Sequence, residues 1–135
     1  KRWYVTSCDF IYMISEEMFL EFELPLLKAE LEFLGRSIFH LDGIGSLRHL
    51  DQLLKLDNLN GIQWVPGAGK PTASYWIDIY KKIQDAGKIN YIYPSPEELP
   101  VLLEHLRPEG VFYSVHCETP KEAEELFEYV SNYYA

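Results

Sequence analysis

Short apolar segments alternate with helical patterns along most of this chain, and that alternation restricts the folds open to it. A helix is predicted first, from an N-cap at Ser15 to a stop at Gly35. Residues 1–8 contain β-formers without a clear boundary and are expected to be extended or irregular. Four strands, each followed by a helical pattern, are predicted at 36–43, 61–66, 89–93 and 110–115. Parallel strands need long crossover connections, usually helices, so the sequence predicts an α/β protein with about four parallel strands.

Capping and breaking residues indicate where the helices begin and bend. Ser95 and Thr119 each open a capping box, with a glutamate three residues further on. Ser46 is the expected N-cap of the helix after the first predicted strand, and Ser74 is that of the helix after the second. Pro25 should kink the first helix because proline removes one backbone hydrogen bond.

The number of strand–helix units favours part of a closed barrel. A complete (β/α)8 TIM barrel takes about 250 residues, so the 135 residues here suit half of one, folded as a single domain 1–135. A flavodoxin-like open sheet, usually of about five strands, is the alternative. Half a barrel leaves two strand edges open, so we expect pairing with a missing half-barrel or with a second copy. The chain also begins with Lys1 and not methionine, which suggests a piece of a longer protein.

Composition argues against several classes of partner. The formal net charge is −9 and the pI is near 4.8, with Lys and Arg scattered, whereas phosphate backbones require clustered cations. No apolar run approaches the roughly 20 residues that span a bilayer, and the start of the chain does not resemble a signal peptide. Cys8 and Cys117 lie too far apart for a disulfide framework. We therefore expect a cytoplasmic protein that binds neither nucleic acid nor membrane.

The end of the first predicted strand carries two groups with metal or acid–base chemistry. Side chains alternate along a strand, so His40 and Asp42 should point to one face while Phe39 and Leu41 point to the other. Gly43 then allows a sharp turn with little bulk beside that face. A core histidine held by a neighbouring aspartate would show the same spacing, and that interpretation stays open here.

The other strand ends supply further candidate ligands. Gln63, Trp64, Tyr93, His116 and Cys117 lie at or just beyond them, where parallel α/β proteins gather their reactive groups. An imidazole, a carboxylate and a thiolate at one mouth would suit zinc with an open coordination position. Each of these residues also has an ordinary explanation: a small buried cysteine, a loop histidine, or one polar and one core residue of a strand.

Three segments resemble the C-terminal half of the uroporphyrinogen decarboxylase superfamily. They are Met13–Pro25, Phe39–Gly43 and Asn60–Gly67, and the resemblance extends from about Cys8 to the end of the chain. The superfamily forms (β/α)8 barrels, so the resemblance implies the C-terminal half-barrel of such a protein. Its members either decarboxylate a tetrapyrrole without a metal or transfer methyl groups between corrinoids and thiols such as coenzyme M.

The methyltransferases hold zinc with a His-x-Cys pair and a later cysteine. By resemblance, His40 matches the first ligand, Asp42 stands where the first cysteine would be, and Cys117 matches the last. Aspartate is harder than thiolate, so thiol activation does not carry over simply. The resemblance places the decarboxylases' substrate arginines and aspartate in the N-terminal half, so we expect this piece alone to be inactive.

The resemblance thus implies a tetrapyrrole decarboxylase or a zinc-dependent, corrinoid-dependent methyltransferase as the parent enzyme. His40, Asp42 and Cys117 would hold the metal, while Gln63, Trp64, Tyr93 and His116 would line the substrate mouth. A non-catalytic α/β module that binds a small molecule or assembles with another chain is the alternative.

Overall fold

The computed structural model describes residues 2–134, which form an α/β fold around a five-stranded parallel sheet. The strands are β1 (Tyr4–Ser7), β2 (Ser37–Asp42), β3 (Gly61–Val65), β4 (Ile89–Ile92) and β5 (Val111–Tyr113). They are hydrogen-bonded in chain order, and each neighbouring pair is parallel. The flavodoxin-like alternative would place its strands in the order 2-1-3-4-5, so that alternative is wrong.

Helices fill every connection between the strands. They are α1 (Glu16–Met18), α2 (Leu24–Leu34), α3 (Leu50–Leu54), α4 (Ile77–Asp85), α5 (Leu99–His105) and α6 (Pro120–Tyr133). Shorter turns precede most of them: 3-10 turns at Asp9–Met13, Ile44–His49, Ala73–Trp76 and Pro96–Glu98, and a π-helical turn at Phe19–Glu23. Among residues 2–134, none of the helices combines the length and apolar character that crossing a bilayer requires.

Residues 1–8 were expected to be extended or irregular, and the structure confirms the extended alternative at Tyr4–Ser7. Tyr4–Ser7 pairs with β2 along its whole length, and the Ser37 hydroxyl donates a hydrogen bond to the Tyr4 carbonyl at 2.8 Å. The helix from residue 16 to Leu34 is therefore the helix of a first strand–helix unit and does not stand alone. The chain consequently contains five such units within its described residues, one more than the pattern predicted.

Both predicted capping boxes are confirmed, but two predicted N-caps are wrong. The boxes at Ser95 and Thr119 have both reciprocal hydrogen bonds. Ser46 instead donates its hydroxyl to the Asp42 carbonyl at 2.6 Å inside a 3-10 turn, so α3 begins only at Leu50. Ser74 likewise lies inside a 3-10 turn, where its backbone N–H donates to the carboxylate of Glu98.

Pro25 lies well inside a helical run that begins at Glu16, so the predicted loss of a backbone hydrogen bond applies to it. It occupies the start of α2, directly after the π-helical turn whose end is marked by the Leu24 N–H donating to the Phe19 carbonyl. The break in regular α-helix therefore falls at residues 19–23, before the proline.

The two faces of the sheet have different environments. One face packs against the helices, with Phe39, Leu41 and Ile62 fully buried among residues of α2, α3 and α4. The alternate residues His40 and Asp42 lie on the opposite face and are half-buried. This confirms the predicted alternation in β2. We call the second surface the open face, because its side chains include exposed residues such as Phe112.

A buried histidine attaches the segment after β1 to the core. His49 has no exposed surface; its Nε2–H donates to the Ile11 carbonyl at 2.9 Å and its ring stacks on Phe19 with 4.5 Å between centroids. Burial lowers the pKa of His49 below its ordinary value. This contact fixes the 3-10 turn Asp9–Met13 against the rest of the fold.

We expect stability to fall at acidic pH through His49. Because the folded-state pKa is lowered, the unfolded chain binds the proton more readily, and stability is lost as pH falls from about 6.5. Urea unfolding at pH 8.0 and 5.5 should give a smaller difference for His49→Gln than for the wild type. His105→Gln, at an exposed histidine, is the control and should keep the wild-type difference. An unchanged pH effect in His49→Gln would contradict this assignment.

Candidate metal centre at the carboxyl edge of the sheet

Three potential metal ligands meet at the carboxyl edge of the first two strands. One ligand atom each from Asp9, His40 and Asp42 lies within 4.8 Å of the other two. His40 and Asp42 come from the end of β2, and Asp9 begins the 3-10 turn that follows β1. Parallel neighbours bring these ends together, since Ser7 is paired with His40. We call Asp9, His40 and Asp42 the edge triad.

Two glycines allow the Asp9 segment to approach β2 closely. The Tyr12 ring lies against Gly43 and Gly45, where a Cβ atom would come within 2.7 and 2.8 Å of ring carbons. Gly43 also has a φ of 78°, a left-handed conformation that favours glycine. The space expected beside Gly43 is thus occupied by Tyr12. The contact brings the turn that carries Asp9 against the loop that follows Asp42.

The orientation of His40 is set by the neighbouring strand. Its Nδ1 lies 2.7 Å from Oε1 of Gln63 on β3, so the Nδ1–H tautomer donates to the amide oxygen. Nε2 then carries the lone pair. A histidine that donates one ring N–H to an oxygen and keeps the other nitrogen free has the arrangement found in metal-binding histidines.

An aromatic group continues the open face beyond Gln63. The Tyr93 hydroxyl donates to the Tyr91 hydroxyl at 2.6 Å, and the Tyr91 ring contacts Phe112 edge-on, with 4.9 Å between centroids. Burial raises the pKa of Tyr93 above its ordinary value; Tyr91 adds to the rise and a hydrogen bond with Gln63 opposes it. The edge triad, Gln63 and the tyrosines therefore form one continuous polar and aromatic surface.

Among residues 2–134, no lysine or arginine forms an ion pair with the two carboxylates of the edge triad. The Lys and Arg ion pairs formed within residues 2–134 involve Asp51, Asp85 and Glu125 only. Asp9 and Asp42 therefore face each other and His40 without a positive counter-charge from the described part of the chain. Close carboxylates of this kind repel one another, and a bound cation relieves the repulsion.

Cys117 and His116 lie apart from the edge triad. The Cys117 sulfur is not among the atoms within 4.8 Å. Both residues line a cleft of about 730 Å³ between the loop before α5 and helix α6, together with Glu122. His116 is exposed, and its Nε2 lies 3.7 Å from a carboxylate oxygen of Glu118. Among the described residues, His40 and Asp42 of the ligand set that the resemblance implies therefore lie together, and Cys117 lies outside their group.

Trp64 also differs in position from the other expected mouth residues. It is on the helix-covered face of β3, only 3% exposed, with its ring edge-on to Trp76 at 5.3 Å. Trp64 also lines a second cavity, of about 340 Å³, together with Tyr93 and Lys70. Gln63 thus lies beside the edge triad, hydrogen-bonded to His40, whereas Trp64 and Tyr93 line this second cavity and His116 lines the cleft beside α6.

The sequence contained a signal for Asp9 that depended on recognising β1. Asp9 lies two residues beyond the end of β1, in the position where the other strand ends supply their candidate ligands. The sequence pattern has no clear strand boundary in residues 1–8, so it does not point to Asp9.

Fold and site together define a parallel α/β protein with an imidazole–carboxylate group at the carboxyl edge of its sheet. Comparison of the chain with protein-family models, with curated proteins and with solved structures gives no match.

Proposed function

We propose that this chain is the C-terminal half-barrel of a uroporphyrinogen decarboxylase-like (β/α)8 protein, and that the open face becomes the interior of the closed ring. The observation that carries the proposal is the sheet order: five parallel strands follow one another in chain order, with the helices' buried residues packed on a single face. Barrels of this class have that order throughout. A ring of eight strands needs three beyond the five present here.

The exposed aromatic residues support closure of the ring. Phe112 is 56% exposed and Tyr93 is 52% exposed, although both lie on the sheet face or directly beyond its edge. Trp3 and Tyr4 are 60% and 67% exposed at the outer edge of the sheet. Parallel sheets normally have both faces covered, so further strand–helix units would bury surface that is now open.

The proposed activity follows from the superfamily. The parent enzyme would decarboxylate a tetrapyrrole or carry out corrinoid-dependent methyl transfer, with Gln63 and Tyr93 lining the substrate mouth. Trp64 and His116 would contribute from the adjoining cavities. An incomplete ring would leave the substrate partly in water, so we expect the isolated chain to have no turnover.

A non-catalytic assembly module is the second candidate. Helix α6 favours it, because none of its residues is buried and Phe127 is 76% exposed. The apolar side of this helix lies over a cavity of about 340 Å³ that Leu99 and Tyr113 also line. A partner that presses α6 onto the sheet would bury this surface without any chemistry at the edge triad.

Complementation tests the barrel proposal. The polypeptide encoded upstream of this chain should form a one-to-one complex with it in size-exclusion chromatography with light scattering. We expect the melting temperature to rise by at least about 5 °C on mixing. The complex should then be assayed with uroporphyrinogen, and with methylcobalamin plus a thiol. A chain that forms no complex and keeps its melting temperature contradicts the proposal, and a homodimer without complementation favours the assembly module.

One pair of variants identifies the surface involved. Phe112→Asp places a charge on the open face and should abolish complementation, while the isolated chain loses only about 1 kcal/mol of stability with the Tyr91 contact. Tyr75→Asp places the same charge at a residue that is 69% exposed in the turn before α4, and it should leave complementation unchanged. Equal effects of the two variants would contradict burial of the open face.

A further inference from the structure

We propose that Asp9, His40 and Asp42 form a divalent metal site with only oxygen and nitrogen ligands, independent of Cys117. The proposal goes beyond the barrel assignment and stands whether or not that assignment is correct. The ion it takes is a first-row divalent cation that accepts carboxylate and imidazole ligands, for which Mn²⁺ is the probe.

The ligand atoms are already close enough to share one ion. They lie within 4.8 Å of one another, although they come from two separate strand ends. Two ligands bound to one ion are about 3–4 Å apart for metal–ligand distances near 2.1 Å, so only small side-chain rotations are required. His40 is held by Gln63 in the orientation that leaves Nε2 available.

The charges of the site favour a cation over the empty state. Asp9 and Asp42 contribute two carboxylates, and within residues 2–134 no lysine or arginine forms an ion pair with either. The whole chain has a formal net charge of −9, which adds long-range attraction for a divalent ion. Three protein ligands would also leave coordination positions for water or a substrate.

The ligand set differs in kind from that of a thiolate-bound zinc. Thiolates select soft ions, whereas carboxylates suit Mg²⁺ and Mn²⁺, and one imidazole extends the range to other first-row metals. Cys117 belongs to a different cleft, beside α6. Affinities should follow the usual order, with Zn²⁺ tighter than Mn²⁺. The identity of the binding side chains therefore distinguishes this site from a thiolate-bound zinc site. The order of metal affinities does not.

Titration calorimetry of the chain with Mn²⁺ tests the site. The wild type should bind one Mn²⁺, and Asp9→Asn should weaken binding by about 100-fold or more, since loss of an outer partner alone costs about 10–100-fold. Gln63→Ala should weaken binding by about 10–100-fold through His40. Cys117→Ser and Asp78→Asn, an exposed aspartate on α4, should bind as the wild type does.

Cobalt spectroscopy keeps the test decisive if a variant fails to fold. Co²⁺ bound to the wild type should show no intense near-ultraviolet charge-transfer band, because such a band requires a thiolate ligand. A thiolate band that disappears in Cys117→Ser would overturn the proposal. It would also be overturned if the wild type bound no Mn²⁺, or if a folded Asp9→Asn bound it with wild-type affinity.

Discussion

Replacement of Phe39 by alanine is expected to lower the free energy of unfolding by about 3–5 kcal/mol. Phe39 lies on β2 with no exposed surface, in the core between the sheet and its helices. Truncation loses the transfer free energy of the ring and leaves a cavity that the central strand cannot collapse to fill. Urea denaturation at neutral pH measures the loss directly.

Phe112→Ala is the matched control for this prediction. The same residue type is removed from the open face of β5, where it is 56% exposed and contacts Tyr91 edge-on. The expected loss is about 1 kcal/mol, the worth of one aromatic pair. Equal losses in the two variants would mean that both faces of the sheet are covered in the isolated chain.

Replacement of Gly61 by alanine should have the second largest effect, a loss of about 3 kcal/mol. A Cβ atom at this position would come within 2.6 Å of the Ile89 carbonyl oxygen and 3.0 Å of the Ile89 Cβ. The Ile89 backbone is fixed by pairing with Gly61 in the parallel ladder. The strands must therefore move apart, which costs more than alanine gains by restricting the unfolded chain.

Gly69→Ala separates steric overlap from backbone strain. Gly69 has a φ of 72° with nothing within 4 Å of the added Cβ, so only the left-handed conformation is penalised, by about 1–2 kcal/mol. Thermal or urea unfolding of both variants makes the comparison. A Gly61→Ala protein as stable as Gly69→Ala would contradict the close packing of β3 against β4.

Local patterns predicted the sheet well wherever a strand had turn residues on both sides. His40 and Asp42 share a face because side chains alternate in any strand, and Phe39 is buried for the same reason. The capping boxes at Ser95 and Thr119 need only residues three apart, so tertiary structure did not alter them.

Long-range contacts account for what the patterns missed. Residues 1–8 contain β-formers without a clear boundary, and the pairing with β2 defines the strand. Ser46 lost its expected role to a hydrogen bond with the Asp42 carbonyl. Asp9, and not Cys117, lies close to His40 and Asp42, and that proximity depends on which strand ends are neighbours, a property of the complete sheet.

The account depends most on the edge triad acting as one metal site at the carboxyl edge of the sheet. Anomalous scattering from crystals of the wild-type chain grown with Mn²⁺ measures this directly. The account predicts a single strong manganese peak in contact with His40 Nε2 and with carboxylate oxygens of Asp9 and Asp42. A peak at the Cys117 sulfur, or a map in which the three side chains have no peak between them, would contradict it.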